Sequence, residues 1–352
     1  MNTPLDFATL ALHADDGVEP GPDIAPPIHL ATTFAADNEQ KLVYGRNDQP
    51  TRRRLEAVLG ALEGGHAVVY GSGLAAIQAV MIHLRPRRVA ISGGYHGTHA
   101  VLEQWKPNGV DVVPLQATLG RGDLMWLETP KNPTCEVADI AAAAKRAHDA
   151  EAFLCVDSTF ATPVLQKPLS LGADVVMHSS TKFLSGHSDA LGGVLAVADR
   201  ERAERLRNER AVQGAVLGAL ETWLTLRSLR TLELRVLRQS QTATELAARL
   251  NGKVPRVWHP SLPGDAGHAI AKEQMRGFGG VLSIELEDES RARSLPGRLR
   301  LFNDATSLGG VESLIEWRRR HDANAPPGLL RISIGLEGVE DLWNDLKKGL
   351  GL

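Results

Sequence analysis

Cysteine is nearly missing from this sequence. Two thiols in 352 residues, Cys135 and Cys155, are too few for a disulfide framework, and nothing resembles a metal-ligand cluster. A surplus of charge is missing too: the net charge of -3 gives no electrostatic case for nucleic acid or an anionic membrane as partner. No uncharged apolar run approaches the roughly 20 residues that span a bilayer. The opening residues, Met1-Asn2-Thr3-Pro4-Leu5-Asp6, lack the basic start and apolar stretch of a secretory signal. These absences make a reduced cytoplasmic compartment the expected setting. Internal repeats and low-complexity tracts are absent as well. What remains is ordinary soluble-protein composition, 43% hydrophobic and 23% charged, in a chain long enough for two domains with sizeable cores.

Residues 1–50 are rich in Pro, Asp and Gly, as in Pro20-Gly21-Pro22-Asp23 and Pro26-Pro27, and show little periodicity. They read as an extended arm that contacts a neighbouring subunit rather than a packed element. From Arg52 helix and strand patterns alternate. Leu55, Val58, Leu59 and Leu62 recur at helical spacing, and Ala67–Tyr70 is a short apolar run before Gly71-Ser72-Gly73. Further strands are expected at Arg88–Ser92, Val110–Pro114, Leu124–Glu128, Phe153–Asp157, Asp174–His178 and Gly193–Ala198. This βαβ rhythm predicts an α/β fold with a mostly parallel central sheet, covered by helices on both faces over residues 51–228. Ligands of such sheets bind at the carboxyl ends of the strands. A long helical stretch over about 215–250 then leads into a smaller C-terminal α+β domain, residues 229–352. Its expected strands are Val281–Leu286, Leu301–Asn303 and Leu329–Ile334, with a last helix near 339–350.

Lys182, in Ser179-Ser180-Thr181-Lys182, and Asp157 both follow apolar strand patterns. Together they offer an amine for an aldehyde cofactor and a carboxylate for its ring nitrogen, which is how a protein holds pyridoxal 5'-phosphate. Taken singly, Lys182 reads as a surface charge and Asp157 as a helix N-cap. Gly71-Ser72-Gly73-Leu74 offers backbone N–H groups at a helix start for a phosphate. Ser179 and Thr181 add hydroxyls. The same glycines also fit Gly71-x-Gly73-x-x-Ala76, a dinucleotide fingerprint, but the next strand ends Ile91-Ser92-Gly93-Gly94 without the acid that fingerprint requires. Tyr95 is a loop aromatic that could stack on a ring or simply pack. Arg331, a charge inside Leu330-Arg331-Ile332, suits a substrate carboxylate or an exposed edge strand. His83, His99 and His268 read as ordinary polar or core residues, and Arg318-Arg319-Arg320-His321 as a solvated face.

These residues spell a known pattern. Glu128-Thr129-Pro130-Lys131-Asn132-Pro133-Thr134, Asp157-Ser158-Thr159-Phe160-Ala161-Thr162-Pro163 and Ser179-Ser180-Thr181-Lys182-Phe183-Leu184-Ser185-Gly186-His187 occur in order. The chain resembles the Cys/Met-metabolism pyridoxal-phosphate enzymes, the cystathionine γ-synthase and γ-lyase group, from Pro26 to Leu342. The resemblance implies fold type I, like aspartate aminotransferase. It implies that Lys182 forms the internal aldimine and shuttles protons, that Asp157 pairs with the pyridine nitrogen, and that Tyr95 acts in catalysis, stacking on the ring and helping the leaving group. Gly73, Leu74, Ser179 and Thr181 would hold the phosphate, and Asn132 the ring hydroxyl oxygen. Tyr44 and Arg46 would reach the phosphate of an adjacent subunit, which implies a homo-oligomer, a tetramer built from dimers that share active sites. Arg331 would grip the substrate α-carboxylate with Ser307 nearby, and Glu312 matches the acid of γ-selective members.

The sequence also departs from that pattern. Gln49 stands for the usual Asn, His96 for a common Gly, and Gly97 for the Cys of methionine γ-lyases. The segment between Pro114 and Leu124 is short, and Trp317-Arg318-Arg319-Arg320 replaces the usual stretch after Glu312-Ser313-Leu314. None touches the cofactor set. The implied activity is γ-replacement or γ-elimination on a small amino acid of the O-acylhomoserine or cystathionine type. A β-eliminating C–S lyase and a specialised biosynthetic γ-substitution are the alternatives within the family. A nicotinamide-dependent oxidoreductase and a non-catalytic cofactor-binding or assembly protein are those outside it.

Overall fold

The computed structural model describes residues 5–19 and 21–352. Met1–Pro4 and Pro20, read above as parts of the leading arm, lie outside the described residues. The first sheet has seven strands: β1 (His66–Tyr70), β2 (Arg88–Ala90), β3 (Asp111–Val113), β4 (Leu124–Glu128), β5 (Phe153–Asp157), β6 (Val175–Ser179) and β7 (Gly193–Val197). They lie in the order β1-β7-β6-β5-β4-β2-β3. The run from β3 to β6 is parallel, whereas β7 is antiparallel to both β6 and β1.

Both faces of this sheet are buried, and alternate residues serve different cores. Leu124 and Trp126 of β4 and Cys155 of β5 pack with Ile77, Val80, Val101 and Leu102 from the helices α3 (Gly73–Leu84) and α4 (His96–Trp105), which follow α1 (Phe7–His13) and α2 (Pro50–Glu63) in the chain. Met125, Leu127, Leu154 and Val156 face the other way, against Ile140, Ala144 and Ala147. That is why the strands read as continuous apolar runs. Each such buried aliphatic side chain contributes roughly 1.5–3 kcal/mol.

The second sheet has five strands in the order β10-β11-β12-β9-β8. These are β8 (Arg256–Trp258), β9 (Val281–Glu285), β10 (Asn303–Asp304), β11 (Leu314–Trp317) and β12 (Leu329–Ser333). Leu246 and Leu250 of the helix Leu232–Leu250 and Leu342 and Leu346 of the last helix cover one face, over Leu282, Ile284, Ile315, Leu330 and Ile332. Among the described residues no helix is long and apolar enough to cross a membrane.

Three local expectations change. Part of the expected extended arm is helical: Asp6 caps α1 by accepting from Thr9 N (2.7 Å), and Phe7 and Ala11, one turn apart, are buried. Seven residues are too few to show a period. The stretch 215–250 is two helices, Ala219–Leu229 and Leu232–Leu250: the chain leaves the helical path at Thr231 (φ -118°, ψ 11°), beside Arg230, whose guanidinium donates to the carbonyls of Ala11 (2.6 Å) and Leu12 (2.5 Å) and to Asp15 (2.7 Å). The strand expected at Leu301–Asn303 is Asn303–Asp304, since Leu301 N is taken by the Asp345 carboxylate (2.8 Å).

Candidate active site

Three adjacent parallel strands, β4, β5 and β6, finish at Glu128, Asp157 and Ser179, and Glu128 is the register partner of Asp157. A cavity of about 540 Å³ opens at these ends. Gly73, Leu74, Tyr95, Asn132, Asp157, Ser179, Thr181, Lys182, Ser307 and Arg331 all line it.

One end offers donors of the kind a phosphate needs. Ser72 caps α3, its hydroxyl accepting from Ala75 N (3.1 Å) and its carbonyl from Ala76 N (3.1 Å). The first N–H groups of a helix have no partner within it, so Gly73 and Leu74 present theirs to the cavity. A Cβ on residue 73 would stand 3.2 Å from the Ser179 hydroxyl, tighter than side chains ordinarily pack. The glycine lets the helix start sit against the end of β6. The Thr181 hydroxyl accepts from Gly192 N (3.1 Å), which fixes the turn that carries Lys182.

In the middle, Asp157 is buried and its Oδ1 accepts from Thr159 N (3.0 Å) and Thr159 Oγ1 (2.5 Å). Among the described residues nothing donates to Oδ2. Burial raises the pKa of this carboxyl, and the Thr159 bonds oppose the rise. The N-cap alternative does not apply, because the following helix, Thr162–Leu165, has Ala161 at that position. Glu128, unlike Asp157, uses both oxygens: Oε1 accepts from Asn132 N (2.8 Å) and Oε2 from Tyr95 N (2.7 Å). Burial first, then the charge of Asp157, pushes its pKa up to about 8. Glu128 thereby ties Tyr95 and Asn132 to the strand ends.

The amine faces them. Lys182 Nζ donates to Ser307 Oγ (2.8 Å), and burial, then the Arg331 charge, lowers its pKa to about 8, with Glu316 opposing. Ser307 holds φ +85°, an unfavourable region for a residue with a side chain, at an expense of about 1–2 kcal/mol. Arg331 lies beyond, on the inner strand β12 between β11 and β9, and is 5% exposed, so the edge-strand alternative is excluded. Its Nη1 donates to Asn132 Oδ1 (2.9 Å) and its Nη2 to Ser307 O (2.9 Å) and Glu316 Oε2 (2.6 Å).

Helix-start donors at one end, a buried carboxylate with an unused oxygen, and a lysine whose burial lowers its pKa to about 8 match what pyridoxal 5'-phosphate requires. The family model for "Cys/Met metabolism PLP-dependent enzyme" matches residues 8–351. The chain belongs to this family. The cystathionine gamma-synthase of Mycobacterium tuberculosis is 41% identical over 377 residues, covering 98% of this chain and 96% of the relative. The cystathionine beta-lyase of Coxiella burnetii is 35% identical, covering 97% of each. The solved structure of apo CalE6, a methionine gamma lyase from Micromonospora echinospora, superposes with a TM-score of 0.92 at 38% identity, covering 98% of this chain and 99% of that one. The protein is a pyridoxal-phosphate-dependent enzyme with the type I fold of these trans-sulfuration enzymes.

Three of the residues expected at the site lie apart from this cavity. Tyr44 and Arg46 border a separate groove with His29, Gln49 and Gly218; Arg52 holds their turn by donating to Gly45 O (2.7 Å), and Tyr44 is 44% exposed. Glu312 borders an adjoining cavity that shares Thr181 and Ser307 with the first, and it accepts from the Ser188 hydroxyl.

The sequence reading assigned no role to Glu128, Thr159, Glu316 or Arg318, all of which line the cavity. Glu316 carried the same signal as Arg331, a charge inside an apolar strand, and the two are direct register partners across β11 and β12. Arg318 corrects the reading of 318–321 as a solvated face. It is 6% exposed and bonded to Glu316 (2.7 Å), while Arg319 and Arg320 do lie outside, paired with Glu289 and Asp304.

Proposed function

We propose that this enzyme catalyses γ-replacement or γ-elimination on an L-amino acid with a γ leaving group, of the O-acylhomoserine or cystathionine type. The observation that carries the reading is the line from Asp157 through Lys182 to Arg331 within one cavity, with a cationic group beyond the amine where an α-carboxylate would sit. The 41% identity to a cystathionine gamma-synthase over nearly the whole chain supports the γ choice.

Gly73, Leu74, Ser179 and Thr181 would hold the cofactor phosphate, Asp157 the ring nitrogen, and the Asn132 side-chain amide the ring hydroxyl oxygen. Tyr95, held at its backbone by Glu128, would cover the ring. Bound pyridoxal phosphate supplies the electron sink for charge left at the substrate α-carbon. Arg331 Nε and the neighbouring dipoles orient the α-carboxylate. Lys182 Nζ would take the α-proton, pass it on to the bound cofactor and, free again, take a β-proton, and Ser307 Oγ would keep that amine aimed between exchanges. The γ C–O or C–S bond then breaks and the leaving group departs with its electron pair. In replacement, a thiol adds at the same carbon.

Residues 51–228 form the cofactor domain, 229–352 the C-terminal domain, and 1–50 an arm to a neighbour in a cytoplasmic homotetramer. Exposed Leu30, Val43 and Tyr44 near the Tyr44–Arg46 groove support a covering subunit. β-Elimination is the second reading, because Glu312, the residue matched to γ-selective members, borders the adjoining cavity instead. Incubation with O-acetylhomoserine or O-succinylhomoserine plus cysteine, and separately with cystathionine, tests the choice. Cystathionine from the first, or 2-oxobutanoate from the second, is expected. Pyruvate and homocysteine as the only products would overturn the γ reading.

A further inference from the structure

The oxygen Glu316 Oε2 is shared by two guanidiniums. It lies 2.6 Å from Arg331 Nη2 and 2.7 Å from Arg318 Nη1, and all three side chains are buried at the substrate end of the cavity. A buried carboxylate needs a partner, but one guanidinium suffices for that. Arg331 is the partner the fold supplies in any case, since Glu316 and Arg331 face each other in the β11–β12 register. An Arg331–Glu316 pair alone would be neutral. It would meet a substrate carboxylate with dipoles and no net attraction.

Arg318 changes that balance. It is the first residue after β11, and its side chain returns into the cavity instead of joining Arg319 and Arg320 at the surface. Two guanidiniums and one carboxylate leave a net charge of +1, equal and opposite to one substrate carboxylate. Among the other groups nearby, His321 Nε2 stands 3.7 Å from Glu316 Oε1. Buried Arg318 Nε and Glu316 Oε1 make no hydrogen bond to the described residues, so the cluster retains unused donor and acceptor capacity. Burial lowers the Arg331 pKa to about 10, with Glu316 opposing and Arg318 adding to the fall, as expected for a triad whose members feel each other's charge.

We propose that Arg318 is a positioning residue for substrate binding: it balances the charge of Glu316 and so leaves the charge of Arg331 for the substrate carboxylate. The proposal rests on the assignment of Arg331 to that carboxylate. It does not depend on whether the enzyme performs γ or β chemistry.

The test measures binding to the holoenzyme by cofactor absorbance, with two probes that have no leaving group. L-Norleucine carries the carboxylate, and pentylamine is the same molecule without it. In Arg318→Gln the Kd for norleucine should rise roughly 30-fold, about 2 kcal/mol at 1.4 kcal/mol per decade, while that for pentylamine stays within about threefold. Arg318→Lys, which keeps the charge, should bind norleucine within about fivefold of the parent. The double variant Glu316→Gln/Arg318→Gln restores +1 on Arg331 and should recover most of the norleucine affinity. Equal weakening of both probes in Arg318→Gln, or no recovery in the double variant, would overturn the proposal. If the parent enzyme itself fails to prefer norleucine, it is the Arg331 assignment that falls, whatever products the turnover assay gives.

Discussion

Thr159→Val removes one hydroxyl and keeps the shape of the side chain. That hydroxyl donates to Asp157 Oδ1 (2.5 Å) and accepts from Ser179 N (3.0 Å), so it joins the ends of β5 and β6 at the floor of the cavity. Loss of the acceptor strands a backbone N–H, which costs about 2 kcal/mol. Unfolding entropy near 2.1 cal/mol/K per residue over 352 residues makes each kcal/mol worth roughly 1.4 °C in Tm. The apoprotein should therefore melt roughly 3 °C lower. Loss of the donor acts on Asp157, whose carboxylate the Thr159 hydroxyl helps keep charged. Without it the carboxyl pKa rises further, its hold on a protonated ring nitrogen weakens, and cofactor affinity should fall about tenfold, or about 1.4 kcal/mol. With cofactor in excess that loss adds to the first. The holoprotein should then melt roughly 5 °C lower. Differential scanning calorimetry of both forms reads the two effects, and Thr159→Ser, which keeps the hydroxyl, is the control. Equal falls in apo and holo forms would refute the link from Thr159 to Asp157. No fall in either would refute the hydrogen bonds themselves.

Lys182→Ala should abolish the borohydride-trapped cofactor adduct, read by peptide mass; an adduct persisting on another lysine would remove Lys182 from its role. The apoprotein should capture pyridoxal phosphate faster as pH rises, with a midpoint near the lowered value of about 8, because the free amine is the nucleophile and its fraction grows through the folded-state pKa. A midpoint near 10 in stopped-flow absorbance would contradict that burial effect. Arg331→Ala should weaken norleucine binding at least about tenfold while leaving cofactor affinity within about threefold. Gly309→Ala should lower stability by at least about 2 kcal/mol in urea titration, since φ is +81° there and the new Cβ would stand 2.6 Å from Phe183 N.

Much of the fold was legible because its signals are local and repeated. Strands β4 to β7 carry apolar runs that burial on both faces demands, and the motif residues Asp157, Ser179 and Lys182 follow directly at strand ends. Less legible were features that depend on partners distant in sequence. The break at Thr231 sits beside Arg230, whose guanidinium is held by Ala11, Leu12 and Asp15, some 215–219 residues away. Strands β8, β10 and β11 have two to four residues each, too few for a period to show. Arg318 lies in a run of three arginines whose members are alike in sequence and differ only in which way the chain turns them. Glu316 was visible as a charge in an apolar stretch, but its meaning came from the strand opposite.

The bond from Arg331 Nη1 to Asn132 Oδ1 joins the inner strand of the second sheet to the loop after β4 in the first, across 199 residues of sequence. It bears on how this enzyme can be recombined with its relatives. A chimera whose crossover falls in the helical region between the sheets would inherit Glu128 and Asn132 from one parent and Ser307, Glu316, Arg318 and Arg331 from the other. Each half could be intact while the guanidinium meets the wrong neighbour. Segments 128–132 and 307–331 therefore constitute one inheritable unit, and a swap that carries both should keep its substrate preference where a swap of either alone should not.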